Sequence, residues 1–427
     1  MVVTIVVLLI LAGVSISLLL DENGIIQKSK DARREYRQAQ TNEQEQMGDI
    51  SEWIDEQATG KVSEKVKSFK TAKDENTTIN GEEGNSNNPT IPAGYVPINT
   101  DTSSWGDGTS APTQDSVDHG LVIKGDSDDN EWVWIPVDET TLATMCNTAN
   151  ETEYTLCGTS GETAVKTKLY SKSKIISRET RTTPGTSTSG SCREPDLVVG
   201  SDGASYDAKE EYYKTILGFD SKEKMAEAFV AEYKEMIESI QKYGGFYIGR
   251  YELSEAGVQK NQPTLTNTNW YNLYKKCKSL NASDKVETRM IWGCQWDVTM
   301  NWLISSGAKT SDEVNKDSSS WGNYYNTSVK ADDGTTEIKA SKTSAVLNTG
   351  ITTFTRANNI YDLAGNCWEW TQEAIDTSYR ANRGGNYVSG GSGYPASFCY
   401  NFSNPGSVYS SDVRFSSHFN NKVAPEL

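Results

Sequence analysis

Histidine is nearly absent from this 427-residue chain, which holds only His119 and His418. Its seven cysteines include no Cys-x-x-Cys pair. Together these scarcities argue against a zinc site, which draws on imidazole and thiolate at close spacing. A Ser-His-Asp triad would have to use a histidine in a polar segment or one close to the last residue. No glycine-rich phosphate loop is found. Basic residues are also short, 41 Lys and Arg against 58 Asp and Glu, for a formal charge of −17. Such a chain lacks the clustered cations that neutralise phosphates, so nucleic acid is not an expected partner. What is plentiful is aromatic area: 11 Trp and 21 Tyr within 36% hydrophobic residues fill a sizeable core.

Charge is missing altogether from Val2 to Leu20, a run of Val, Ile, Leu and Ala with a few Ser, Thr and Gly. About 19 residues at ~1.5 Å per residue reach roughly 28 Å, close to the hydrocarbon thickness of a bilayer. The run reads as a membrane-spanning helix. Beyond Asp21-Glu-Asn-Gly-Ile-Ile26 comes a stretch of mixed charge rich in helix formers, Gln27 to Ala39. An apolar helix followed by an exposed amphipathic one resembles the N-terminal stem of type IV pilin-like proteins. Two features depart from that pattern. No basic leader precedes the run, so processing or truncation is expected, and the acidic residue that aligns many pilin subunits is missing. Lys28, Lys30, Arg33, Arg34 and Arg37 just beyond the run would hold that side in the cytoplasm by the positive-inside rule. A simple membrane anchor is the alternative reading.

Residues 59–92 are polar, with Glu82-Glu-Gly-Asn-Ser-Asn-Asn88, and read as a linker between a stem over 1–58 and a globular part over 93–427. Within the latter, Glu131-Trp-Val-Trp-Ile-Pro-Val137 alternates as a strand with its indoles on one face. Residues 141–209 form a polar insertion. There, Cys146 and Cys157 flank a short segment and either close a hairpin as a disulfide or stay as thiols. Helical spacing runs over 210–243 through Met225, Phe229, Tyr233 and Ile237, and again over 269–280 and 295–303. The last 45 or so residues, dense in Gly, Ser, Asn and Tyr, read as loops and short strands.

Four stretches stand out: Gly244-Gly-Phe-Tyr-Ile-Gly-Arg-Tyr-Glu252, Met290-Ile-Trp-Gly-Cys-Gln-Trp-Asp297, Asn359-Ile-Tyr-Asp-Leu-Ala-Gly-Asn-Cys-Trp-Glu-Trp-Thr371 and Asn382-Arg-Gly-Gly-Asn-Tyr387. Together they resemble the signature of the formylglycine-generating enzyme family, whose fold is a variant of the C-type lectin fold. The resemblance implies an α+β domain of that type over 93–427, behind the long N-terminal pilin-like helix. It also implies a structural calcium ion around Asp362, Gly365, Cys367 and Glu369, since hard oxygen donors beside a tight glycine turn suit calcium. Without the ion, Glu369 is simply a buried, hydrogen-bonded carboxylate beside Trp368.

The family's oxidases bind copper through two cysteines placed four and nine residues after the second glycine of Arg-Gly-Gly. Here those positions are Ser389 and Tyr394. Neither supplies the thiolate that Cu(I) selects, so no copper and no enzymatic activity are expected. Residues 386–402 have instead the Tyr, Ser, Gly and Asn that make adaptable recognition surfaces. The stretch also resembles the hypervariable segment of lectin-fold proteins diversified by retroelements. The expected ligand surface is Asn386, Tyr387, Ser389, Ser392, Tyr394, Phe398, Tyr400 and Phe402, with Trp321 and Tyr324 as neighbours. The sequence therefore reads as a cell-surface or pilus-displayed binding protein for a protein or glycan on another cell or phage. It would be held by Val2–Leu20 in the membrane or among other pilin subunits. A structural filament subunit is the alternative, and an oxidase is disfavoured.

Overall fold

In the computed structural model the chain divides into two compact units, Met1–Lys67 and Ser68–Leu427. The residues described are 73–79, 82–98, 117–157, 165–172, 209–280, 286–374, 379–407, 414–415 and 417–421, all in the second unit. The stem over 1–58, including Val2–Leu20, lies outside them. Among the described residues no helix is long and apolar enough to cross a membrane.

The second unit is a mixed α+β body. A short pair, β1 (Thr77–Thr78) with β2 (Thr90–Ile91), leads into β3 (Tyr95–Pro97), β4 (Val122–Gly125) and β5 (Glu131–Pro136). Helix α1 (Glu139–Met145) then precedes a hairpin of β6 (Cys146–Cys157) and β7 (Val165–Lys172). A π-helical turn at Glu211–Ile216 and α2 (Lys222–Tyr243) carry the chain to β8 (Gly245–Gly249). Next come α3 (Trp270–Cys277), β9 (Val286–Met290), α4 (Gly293–Ser305) and α5 (Ser311–Asn315). Two small ribbons follow, β10 (Val329–Lys330) with β11 (Glu337–Lys339), and β12 (Arg356–Ala357) with β13 (Ile360–Tyr361). The described chain finishes with β14 (Glu369–Ala374), β15 (Arg380–Arg383), β16 (Cys399–Ser403), β17 (Arg414–Phe415) and β18 (Ser417–Asn421).

Two sheets organise these elements. The six-stranded sheet has the order β3-β4-β5-β8-β18-β9 and is antiparallel throughout. The four-stranded sheet runs β16-β15-β14-β17, with β14 and β17 parallel. In the first sheet β18, the last described strand, lies between β8 and β9.

Strand β5 shows why alternation alone under-reads a central strand. Trp132 and Trp134 are buried as expected, but so are Val133 and Ile135 between them. Both faces are covered, so β5 is a fully interior strand. Each enclosed indole removes roughly 200 Å² from water, on the order of 5 kcal/mol as an upper bound.

The helical spacing over 210–243 breaks in two. Gly218 takes φ +80° and Ser221 caps α2 by accepting the Lys224 amide at 3.2 Å, so the π-helical turn and α2 are separate elements. Helix α2 buries Met225, Phe229, Tyr233 and Ile237 on one face. It stops at Gly244, φ +74°, where a side chain would strike the backbone of Asn85 and Ser86.

Three expectations change. Residues 82–92 are not free linker: Ser86 O accepts the Trp134 indole at 3.2 Å, Thr90 O accepts the Tyr247 hydroxyl at 3.0 Å, and Ile91 is buried. The polar stretch 141–209 holds secondary structure, the end of α1 and the β6/β7 hairpin, because alternate polar residues satisfy a two-stranded ribbon. Cys146 and Cys157 stand at opposite ends of the single strand β6. At ~3.3 Å per residue their separation far exceeds the ~5.5 Å of a disulfide, so they do not bridge.

Candidate functional site

The four sequence stretches meet one another in pairs. Arg250 donates from Nη1 to Glu131 at 2.7 Å and from Nε to Asn359 O at 3.2 Å, while Asn359 Nδ2 donates to Gly120 O at 2.8 Å. Arg383 grips Glu373 with two bonds, Nε to Oε2 at 2.7 Å and Nη2 to Oε1 at 2.6 Å, and reaches Asp297 at 3.2 Å. The Glu373 carboxyl lies against Gly293, where an added Cβ would come within 2.0 Å of it. Only glycine fits at the start of α4.

Asn366 is the hinge of the third stretch. It is buried with φ +56°, a conformation Asn tolerates. Its Nδ2 donates to the Glu252 carboxylate and to Leu347 O at 3.2 Å. Its Oδ1 accepts from Asn323 Nδ2 at 2.8 Å and from the Leu347 amide at 2.9 Å. Its own carbonyl accepts the Tyr387 amide at 2.9 Å. One side chain thus ties the segments around Glu252, Asn323 and Leu347 to the start of the Tyr-rich loop.

That loop, 386–400, rests on a fixed floor. Gly384 and Gly385 take φ +85° and +79°, and a Cβ on Gly385 would meet Tyr394 O at 2.4 Å. Tyr324 donates its hydroxyl to Gly384 O at 2.8 Å. Trp296 Nε1 donates to Ala396 O at 3.2 Å, and the Ala396 amide donates to Ser318 Oγ at 2.9 Å. Above the floor, Trp368 packs against Tyr394, Phe398 and Tyr400 at ring separations of 5.4, 6.0 and 5.6 Å. Tyr394 and Phe398 meet edge-on at 4.9 Å.

The expected ligand residues divide by depth. Trp321 and Tyr324 are corrected: both are buried, Tyr324 as a hydrogen-bonded pillar whose phenol burial pushes well above its usual range. Asn386 and Phe398 are also buried, Asn386 accepting the Ser389 hydroxyl at 2.6 Å. Tyr387, Ser389 and Tyr394 are half-buried, Ser392 is exposed and Tyr400 is 37% exposed. The backbone of Phe402 lies in β16, and its side chain is outside the described residues. Sequence reading missed Tyr325 and Val388, 41% and 45% exposed, which adjoin through the Tyr325 amide donating to Ser389 O at 2.9 Å. A lone Tyr and a lone Val carry no periodic signal, so only the fold reveals them.

The resemblance implies calcium at Asp362, Gly365, Cys367 and Glu369, with the two carboxylates and backbone carbonyls of the loop as donors. Asp362 Oδ2 already accepts the Gly350 amide at 2.7 Å. Glu369 is enclosed in β14, in register with Arg383 and Arg414. Among the described residues no group of three or more His, Cys, Asp or Glu is placed to hold a metal ion. The histidines are far apart in role, His119 on an exposed turn and His418 inside β18.

No protein-family model matches the chain, and no curated protein matches it. Two solved structures are similar over part of it. Treponema denticola variable protein 1 is 16% identical with a TM-score of 0.26, covering 42% of this chain and 85% of its own. PvdO from Pseudomonas aeruginosa is 14% identical with a TM-score of 0.26, covering 42% of this chain and 81% of its own.

Proposed function

We propose that the chain is a displayed, non-catalytic binding protein whose ligand face is the exposed part of loop 386–400 together with Tyr325. The observation that carries this reading is the Tyr400 ring, open to solvent on one side and backed by Trp368 on the other. Tyr325 and Val388 are further exposed apolar side chains, the Tyr325 backbone being hydrogen-bonded to Ser389 of the same loop. Rigid aromatic area at low entropy cost is what a recognition surface needs. From Gly384 to Ser411 the sequence carries no Asp, Glu, Lys, Arg or His, so recognition would rest on stacking and neutral hydrogen bonds.

The oxidase reading asks for thiolates at Ser389 and Tyr394. Their hydroxyl and ring are instead engaged with Asn386 and with Trp368 and Phe398. The ligand would be a protein or glycan on another cell or phage, and display at the cell surface would come from Val2–Leu20, in a membrane or a pilus-like filament.

The test presents the full chain to arrays of glycans and of cell-surface proteins. A ligand should be captured, and Y400A and Y325A should each weaken it about tenfold or more, the size of a hot-spot aromatic, with melting temperature unchanged. Oxygen uptake with a cysteine-containing peptide and Cu(I) should stay at background. Turnover there, or full binding by both variants, would defeat the reading.

A further inference from the structure

Lys339 is the most enclosed lysine among the described residues, 3% exposed at the end of β11. Among the described residues no carboxylate is hydrogen-bonded to its ammonium, Glu337 acting on it only through space. It donates to three backbone carbonyls, Tyr324 O at 2.7 Å, Thr327 O at 2.8 Å and Thr343 O at 3.2 Å. Converging carbonyls of this kind are the donor set that loops offer to a bound metal cation. An ammonium with three hydrogens satisfies the same trio from within the chain. The cost of its burial, which lowers its pKa from the ordinary lysine value, is offset by these charge-assisted bonds.

The segments it joins form the second lip of the proposed ligand face. Tyr325 follows Tyr324, and its amide donates to Ser389 O at 2.9 Å. The Lys342 amide donates to Tyr325 O at 2.6 Å, and Ser341 Oγ to Asn326 O at 3.0 Å. Three strands of backbone, around 342, 325 and 389, therefore lie side by side with Lys339 beneath two of them. We propose that Lys339 is a built-in cation: a positioning residue whose ammonium fills a carbonyl cage and holds the Tyr325 lip against loop 386–400 without a dissociable metal.

The proposal rests on the reading of loop 386–400 as a ligand face only for its purpose. Its test needs no ligand, so the two can fail separately. Hydrogen exchange is measured on the full chain at the Tyr325 and Lys342 amides, with the Ile248 amide in β8 as a fold control. In the wild type, EGTA should leave protection at all three unchanged. K339M should lose about tenfold or more of its protection at Tyr325 and Lys342 while Ile248 keeps its own, as expected for local opening. K339A leaves the cage empty, and ethylammonium chloride should recover protection there where ethanol and sodium chloride do not.

Loss of protection with EGTA, or K339M behaving as wild type, would overturn the proposal. So would recovery of K339A by ethanol, or by none of the additives. Should K339M lose Ile248 protection as well, the EGTA arm and the K339A rescue decide.

Discussion

Asn366 illustrates how much one amide can hold. Both of its side-chain hydrogens and both lone pairs are used, by Glu252, Leu347 and Asn323. N366A would strip partners from several buried groups at once, and each orphaned polar group costs about 1–3 kcal/mol. The expected loss is on the order of 3 kcal/mol, read as a lower denaturation midpoint at unchanged slope. N366D keeps the shape but turns a donor toward Glu252 into an acceptor, so it should be no better. Equality of N366A with the wild type would contradict the hub.

At this scale the sequence was informative about identity and silent about depth. The Gly-Asn turn and the Arg-Gly-Gly step were visible as unusual spacings, and both proved to be sites where positive φ or close backbone approach is required. Burial is not encoded in residue type for Tyr, Asn and Phe. That is why Asn386 and Phe398 read as ligand-surface residues, and Trp321 and Tyr324 as their neighbours, when partners distant in sequence enclose all four.

Among the elements, β14, β15 and α4 are locked by one ion pair. Arg383 is fully buried and meets Glu373 in a two-bond fork, with Asp297 behind it. Such a pair adds little net stability over an apolar substitute, but removing one partner leaves a buried charge alone. E373Q should therefore cost about 3–5 kcal/mol, whereas E373L combined with R383M should cost less than E373Q alone. A double-mutant cycle by chemical denaturation measures this, and simple additivity of the single losses would argue against the coupling.

Element types were legible where periodicity was long, as in α2, and where aromatic and β-branched residues clustered, as in β5. Element boundaries were not. Gly218 and Ser221 split one helical reading into two, and the β6/β7 hairpin emerged from a stretch whose composition spoke only of polarity. Long-range pairing also escaped notice: nothing local announces that 417–421 will join β8 and β9.

For the whole molecule, thiol chemistry reports on the core. Cys277, Cys294, Cys367 and Cys399 are buried thiols, and burial pushes the Cys277 thiol well above its ordinary range. A thiol is reactive as its thiolate and only where a reagent can reach it. Iodoacetamide at pH 8 followed by peptide mapping should leave these four unmodified in the native protein and label them all in denaturant. Rapid native labelling at Cys367 or Cys399 would show that the aromatic floor beneath the loop opens.

The place of β18 has a consequence for how the molecule is made. During synthesis β8 and β9 emerge long before residues 417–421, so the place between them is filled only after more than a hundred further residues have been made. Sequence-distant pairing of this sort slows folding and delays cooperativity. Loop 386–400 is therefore already synthesised when β18 takes its place between β8 and β9.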